Sequence, residues 1–511
     1  RRQRQMCIRD RYFNRSFDSL SLAEIHYIDT SLLFFSRFDP LKKGVVAVNT
    51  LSNAGMPHQE MLFSPVFSNG FDVYQPAYQR YLKNGSNVSY LMPTAPFTEL
   101  NYLMGSKKEQ QLRVLFARQL QPRFFIGMDY SLINSPGPYK NSSSNVNGAN
   151  FTARYRSRNK KYGILAHYFF NKLEMAENGG IKNDDDFESN LETDRRVIAV
   201  QLVDAANLVK QSGFGLEQEY ILAVPRTIQL NDTVEEVRQI GLGRISHRME
   251  YQRNQLIYSE RSPLEAFYQP FDVVLDSTQT KDSAYVATFR NSLQWNNLGY
   301  QLLQREYPFY FYAGIETLNS TIADSTFKRN DWQLNPYGGV RISLLNSFFI
   351  DGEAKLITGS VATGDLQLKG GIRQYLGTED RNLGDLFFRL SLINQSASWF
   401  YQRYQSNHFR WENDFVSERY LSFHGGYHIK GVTLGGSWHV IDKYLYMDRN
   451  ARPAQTSGTF GLLQLYGNFH LKPGKFDISG NVHYQQSNND TLIHLPELTA
   501  RLRITFTADI F

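Results

Sequence analysis

The chain has 511 residues, a net charge of +6, 41% hydrophobic and 14% aromatic residues, a mean hydropathy of −0.44 and one cysteine. No run approaches the roughly 18 apolar residues of a membrane helix. The lone Cys7 excludes an internal disulfide framework and any cysteine-based metal site, and the basic residues are spread singly, without the patch a nucleic-acid protein shows.

Arg1–Arg11, RRQRQMCIRDR, resembles translated sequencing-adaptor sequence and is expected to be non-native; no apolar signal region follows it. Residues 12–93 mix short apolar groups with Gly, Pro and Asn and are expected to form a pre-barrel segment or a first hairpin. From Thr94 the pattern changes. Thr98, Leu100, Tyr102 and Met104 alternate with Glu99 and Asn101, and Gly105-Ser106-Lys107-Lys108 turns the chain. Leu112, Val114 and Phe116 then alternate with Gln111 and Arg113. Beyond Gln121-Pro122, Phe124, Ile126, Met128, Tyr130 and Leu132 alternate with Arg123, Gly127, Asp129 and Ser131. Period-2 alternation gives each strand one greasy and one wet side. Lengths of about 8–11 residues suit a tilted strand crossing a bilayer.

Ile133–Asn150 and Asn171–Thr193 read as long loops, and Asn159-Lys160-Lys161 as a tight turn between two further strands. Later strands are expected near 195–203, 212–222, 240–251, 283–293, 305–317, 333–344, 347–358, 365–374, 385–394, 397–415 (one or two), 418–429, 432–441, 458–469, 475–485 and 497–510. The expectation is an all-β fold, a large single-chain antiparallel transmembrane β-barrel over 94–511, on the order of 16–22 strands. Some of Trp332, Trp399, Trp411 and Trp438 would serve an interfacial aromatic girdle.

The spaced series Asp29-Thr30-Ser31-Leu32, Asp39-Pro40, Leu51-Ser52-Asn53-Ala54-Gly55, Gly70-Phe71, Pro96-Phe97-Thr98, Tyr102, Gly105-Ser106 and Glu109-Gln110 resembles the putative porin family of Bacteroidota outer membranes. The match covers roughly 29–132, and Ser52 and Ala54 depart from the family's Leu-Gly-Asn-Leu-Gly-Ser block. The resemblance implies an outer-membrane β-barrel and carries no catalytic residues across. The final strand alternates Leu502, Ile504, Phe506, Ala508 and Ile510 with Arg501, Arg503, Thr505, Thr507 and Asp509. Phe506, Ile510 and the terminal Phe511 resemble the signal read by barrel-assembly machinery, although Phe511 falls on the polar face.

Charges on a lipid face cost about 2–4 kcal/mol near the bilayer midplane. Arg113, Arg123, Arg154, Arg156, Arg158, Arg244, Arg248, Arg341, Arg373, Arg389, Arg501 and Arg503 oppose apolar faces and are therefore expected to face the lumen. Unpaired, they would favour solutes bearing carboxylate or phosphate; paired with Glu99, Asp129, Asp351, Glu353 and Asp385, they would fill the interior instead. The acid-rich loop 172–194 lacks EF-hand spacing and reads as solvated. His247 shares a face with Ile245 and Met249; His424, His428 and His439 show no metal spacing. No nucleophile elbow, P-loop or dinucleotide fingerprint appears, so no catalytic, metal or cofactor residue is assigned. The expected partners are outer-membrane lipids, the assembly machinery and small solutes. Three functions stay open: a porin-like channel for small hydrophilic solutes, a non-conducting barrel filled by residues 12–93 and loops with a structural or assembly role, and an outer-membrane hydrolase.

Overall fold

The computed structural model describes residues 11–14, 25–27, 40–42, 47–68, 76–189, 194–231, 234–268, 275–298, 308–345, 347–359, 362–378, 381–489 and 491–508. Eighteen antiparallel strands close into one barrel. They are β1 (Phe97–Met104), β2 (Gln110–Gln121), β3 (Phe124–Ser135), β4 (Ser144–Arg156), β5 (Tyr162–Glu177) and β6 (Ala205–Asn231). Next come β7 (Val234–Glu260), β8 (Thr280–Asn296), β9 (Phe309–Ala323), β10 (Lys328–Leu344), β11 (Phe348–Leu356) and β12 (Leu366–Gly377). The last are β13 (Asn382–Gln395), β14 (Glu418–Ile429), β15 (Val432–Asp442), β16 (Thr459–Leu471), β17 (Phe476–Ser487) and β18 (Leu498–Phe506). Sequential strands are neighbours throughout, and β18 lies beside β1. Closure pairs the backbone N–H and C=O groups that lipid would otherwise leave unsatisfied.

The alternation read from the sequence sets the two faces. Outward stand Leu100, Tyr102, Phe151, Tyr168, Phe214, Leu293, Phe388, Leu434, Trp438, Leu502 and Ile504, all large, apolar and exposed. Inward stand residues such as Asp129, His167, Asn171, Glu217, Arg248, Glu316, Asp385, His439 and Gln485. The connections at the two ends differ. At one end they are 122–123, 157–161, 232–233, 345–347, 378–381, 430–431 and 472–475, with the longer 297–308. The opposite end carries 136–143, 178–204, 261–279, 357–365, 396–417, 443–458 and 488–497, with the shorter 105–109 and 324–327. The two-residue Lys430-Gly431 turn has positive φ at both positions (44° and 82°), which matches the right-handed twist of a tight hairpin.

Several expectations are corrected. No strand covers 195–203: Arg195–Val197 is a 3-10 turn capped by Asp194, whose side chain accepts from the Arg196 amide. The aromatic stretch 397–415 supplies no wall strand. It forms a short helix, Trp399–Gln402, and two three-residue strands that pair only with each other. Its apolar residues serve burial: Phe400 packs with Ala284, Val286, Leu318 and Ile322. Trp399 and Trp411 belong to this connection, while Trp332 and Trp438 face outward. Loop Ile133–Asn150 shrinks to 136–143 because β4 begins at Ser144, and loop Asn171–Thr193 moves to 178–204 because β5 runs to Glu177 and β6 begins only at Ala205. These strand ends carry polar Asn145, Asn147, Lys172 and Glu174 outward and apolar Val146, Leu173 and Met175 inward, so the pattern of greasy outside and wet inside inverts although the ladder continues.

The longest strands, β6 and β7, go past the barrel. β6 pairs with β5 only over Ala205–Tyr220, and β7 with β8 only over Arg244–Glu260. Residues 221–231 and 234–243 therefore continue as a two-stranded ribbon beyond the short-turn rim.

Candidate functional site: the lumen and the segment inside it

Part of the chain before β1 lies within the barrel. Leu41, Met56, Tyr78, Tyr81 and Leu82 pack on the inward Ile133, Val146, Leu173, Met175 and Val209. Apolar area buried this way is worth roughly 25 cal/mol per Å2. Gly55 turns the chain at φ 87°, where a Cβ would meet Ser144 Oγ at 2.8 Å, and its amide donates to Tyr81 Oη at 3.2 Å. The Leu51–Gly55 block thus sits where chain and wall touch, which gives its glycine a physical reason.

Lys83 carries the main polar anchor. Its Nζ lies 3.0 Å from Asp129 Oδ1 on β3, and Arg113 on β2 holds the same carboxylate through two bonds of 3.2 Å. Burial lowers the Lys83 pKa, and the Asp129 carboxylate opposes that shift. Asn171 clasps the Lys83 backbone, accepting from its amide at 2.8 Å and donating to its carbonyl at 2.7 Å. Tyr90 Oη reaches His167 Nδ1 at 2.9 Å.

Across the lumen a second contact holds residues 61–68. The Phe63 amide donates to Gln485 Oε1 at 3.2 Å, and Gln464 Nε2 donates to the Phe63 carbonyl at 2.9 Å. The Ser68 amide donates to Gln395 Oε1 at 3.0 Å. The Phe63 ring lies among Tyr420, His439 and Tyr444.

Between residues 65–68 and the wall from β7 to β13 lies a polar cavity of about 520 Å3. Glu316 is buried at its edge, 3.5 Å from Arg290 Nε and 3.1 Å from Lys355 Nζ, and accepts from Asn335 at 3.1 Å. Tyr312 Oη donates to Glu353 at 3.4 Å and Tyr337 Oη to Gln294 at 3.3 Å. Lys369 lines the same space; it is exposed and makes no ion pair or hydrogen bond among the described residues. Arg389, two strand steps from Ser391 of the cavity wall, is exposed and lies 6.0 Å from the Phe387 ring.

The arginines singled out in the sequence divide into three groups. Arg113 (Asp129), Arg156 and Arg244 (Glu219), Arg248 (Glu217), Arg373 (Asp385) and Arg503 (Asp477) stand on the inward face in ion pairs. Arg154 lies against the Met92 sulfur; Arg341, Arg389 and Arg501 are inward and opposite Asp351, His424 and Asn481 in the ladder. Arg123 and Arg158 are corrections: both sit in short turns outside the strands, Arg123 with φ 73°, because β3 begins only at Phe124 and β4 ends at Arg156. Phe506 ends β18 facing outward, and Ile510 and Phe511 lie outside the described residues. His247 is outward, its Nε2 2.8 Å from Asn291 Oδ1. Arg290, Lys355 and Lys369 line the cavity without having been singled out, although the same alternation rule would have found them.

Among the described residues, no group of three His, Cys, Asp or Glu side chains is placed to hold a metal ion. The family described as Putative porin matches residues 15–511. The chain belongs to that family. It is an outer-membrane β-barrel, and by the usual asymmetry of such barrels the short turns are periplasmic and the long connections external. No curated protein matches it significantly. Solved structures similar in fold include the copper transporter OprC, at 12% identity and TM-score 0.58, covering 91% of this chain and 79% of that one. The siderophore receptor PirA from Pseudomonas aeruginosa is similar at 10% identity and TM-score 0.53, covering 83% and 72%. PirA from Acinetobacter baumannii matches at 11% identity and TM-score 0.55, covering 85% and 70%.

Proposed function

We propose that this barrel passes small hydrophilic solutes, preferentially anions, along the part of the lumen beside residues 47–68 and 76–92. The observation that carries this reading is the polar cavity beside residues 65–68, with Lys369 on its wall and Arg389 beside it exposed and without an ion pair. Along this cavity Glu316 neutralises Arg290 and Lys355 in part and Glu217 pairs with Arg248, while Lys369 has Glu353 across the ladder and Arg389 faces Gly371 and His424, so the local balance is positive. Cationic rings and patches in pores select anions. The likeness to receptors and a transporter supports transport as the general role, and the reading involves no covalent step.

A second reading rests on a different observation. Residues 47–68 and 76–92 are fastened to opposite sides of the wall, the second at Asp129 and the first at Gln485, which favours a barrel held closed, with a structural or assembly role. Single-channel conductance of the detergent-folded full chain, in a planar bilayer with a salt gradient, separates the two. A steady current with an anion-selective reversal potential is expected. Silence from correctly folded barrels would leave the closed reading standing.

A further inference from the structure

The outward surface carries a feature that conduction does not use. Phe151, Tyr168, Phe214, Tyr251 and Phe289 are successive cross-strand partners on β4 to β8, forming one aromatic row around this part of the barrel. Phe151 stacks on Tyr168 at 6.4 Å and Phe214 meets Tyr251 at 5.8 Å. Such aromatics gather where lipid meets water; with the strands tilted near 40° the row climbs about 3 Å per strand, so depth is counted from the aromatic of each residue's own strand.

Toward the external end the outward residues turn cationic. Arg253, the partner of Ser212, lies two residues beyond the row, and Lys172 and Lys210, partners of each other, lie four residues beyond it. At about 3.3 Å per residue and a tilt near 40°, the two lysines stand roughly 10 Å outside the aromatic level. That is the depth of lipid headgroups. Directly paired residues lie about 5 Å apart and diagonal ones about 7–8 Å, so Lys172, Lys210 and Arg253 form one cluster. Lys210 is exposed and makes no ion pair or hydrogen bond among the described residues. Arg253 is steadied by the Tyr285 ring at 5.0 Å, and Lys172 lies 2.7 Å from Glu174. Elsewhere on the rim the outward Arg419 faces Asp442 across β14 and β15 and is offset by it. Three like charges with one acid repel one another unless an anion joins them.

We propose that Lys172, Lys210 and Arg253 bind the phosphate groups of a phosphorylated glycolipid in the outer leaflet, whose acyl chains lie on the aromatic row below. The site rests on the outer-membrane orientation of the barrel and not on whether the lumen conducts.

The test uses the detergent-folded full chain and native mass spectrometry. The probes are bis-phosphorylated lipid A, the same glycolipid with both phosphates removed, and inorganic phosphate. Lys172→Gln/Lys210→Gln/Arg253→Gln should weaken lipid A binding on the order of a hundredfold, about fivefold per cation, and leave the dephosphorylated glycolipid unaffected. Glu174→Gln should tighten lipid A binding severalfold, a gain that impaired folding cannot produce, so it decides the matter if the triple variant does not fold. Equal lipid A affinity for the triple variant and the original chain overturns the proposal. So does indifference to the phosphates, loss or no change in Glu174→Gln, or binding of inorganic phosphate as tight as that of lipid A.

Discussion

Asp129→Asn tests how residues 76–92 are fastened to the wall. The Lys83 ammonium is 3.0 Å and the Arg113 guanidinium 3.2 Å from the Asp129 carboxylate. At an effective dielectric near 20, each attraction amounts to about 5 kcal/mol before desolvation. Desolvation of the buried Lys83 cancels part of this, and removing one partner of a buried pair typically costs about 3–5 kcal/mol. Lys83 can shed its proton once uncompensated, since burial already lowers its pKa; that places the expected loss at the low end, about 3 kcal/mol. Because Leu82 and Tyr81 remain packed, the loss appears as local opening of the segment while the barrel stays folded. Hydrogen exchange read by mass spectrometry should show the amides of residues 82–90 exchanging about a hundredfold faster. Lys83→Met should cost only about 1 kcal/mol, because it removes the buried charge and leaves Asp129 bound to Arg113. Exchange within threefold of the original chain in Asp129→Asn, or an equal effect in Lys83→Met, would refute the electrostatic account.

Four further outcomes follow from the geometry. Lys369→Glu with Arg389→Glu should shift the reversal potential toward cation selectivity without unfolding the barrel, since neither side chain makes an ion pair among the described residues; an unchanged potential places the selectivity elsewhere. Phe63→Ala should raise single-channel current severalfold by loosening residues 61–68 from Tyr420, His439 and Tyr444; an unaltered current means those residues do not limit passage. Asp365, just outside β12, accepts from Ser396 through Oδ1 and has its pKa pushed up to about 6 by burial. A raised carboxyl pKa leaves stability intact below about pH 3.9 and drains it as pH rises to about 6, by up to about 3 kcal/mol; the protection factor of residue 396, its exchange corrected for the base-catalysed rise common to all amides, should be lower at pH 7.5 than at pH 5, and Asp365→Asn should abolish that difference. At Gly213, an added Cβ would lie 2.5 Å from the Tyr251 carbonyl and 2.6 Å from Phe169 Cζ, so Gly213→Ala should lower barrel stability by about 1–3 kcal/mol, read as a lower temperature for loss of the compact band on an unheated gel.

The wall was legible because lipid imposes a binary rule. Each residue of a spanning strand faces hydrocarbon or lumen, so β14 appears in the sequence with its observed bounds of 418–429 and β15 nearly so. The rule fails where its cause is absent. Beyond the bilayer, Asn145, Asn147, Lys172 and Glu174 continue their strands with polar residues outward, and they resemble loop. Inside the mouth, Trp399, Phe400 and Tyr404 resemble strand because they are packed against the wall from within. The lumenal site was half legible. Alternation placed most of the arginines inward, but the cavity depends on contacts remote in sequence, such as Phe63 to Gln485 across 422 residues, which leave no local periodicity.

The attachments of residues 47–68 and 76–92 differ in kind, and that difference bears on how solutes pass. The attachment near β3 to β6 combines apolar packing of Met56, Tyr78, Tyr81 and Leu82 with a buried, bidentately supported ion pair. Neither part can be replaced by water without loss, because apolar surface gains nothing from water and a desolvated charge needs its partner. The attachment near β13 to β17 has no ion pair among the described residues: it consists of glutamine amides bonded to backbone groups, plus the half-buried rings of Phe63 and Phe67 on Ile393, Tyr420, Ile441, Phe460 and Leu462. A neutral amide bond contributes only about 1 kcal/mol net, because water offers nearly the same bond. The cavity lies beside this second attachment, at residues 65–68. Any widening of the route therefore costs least where the cavity already is, by release of residues 61–68 toward the lumen while residues 76–92 stay fixed.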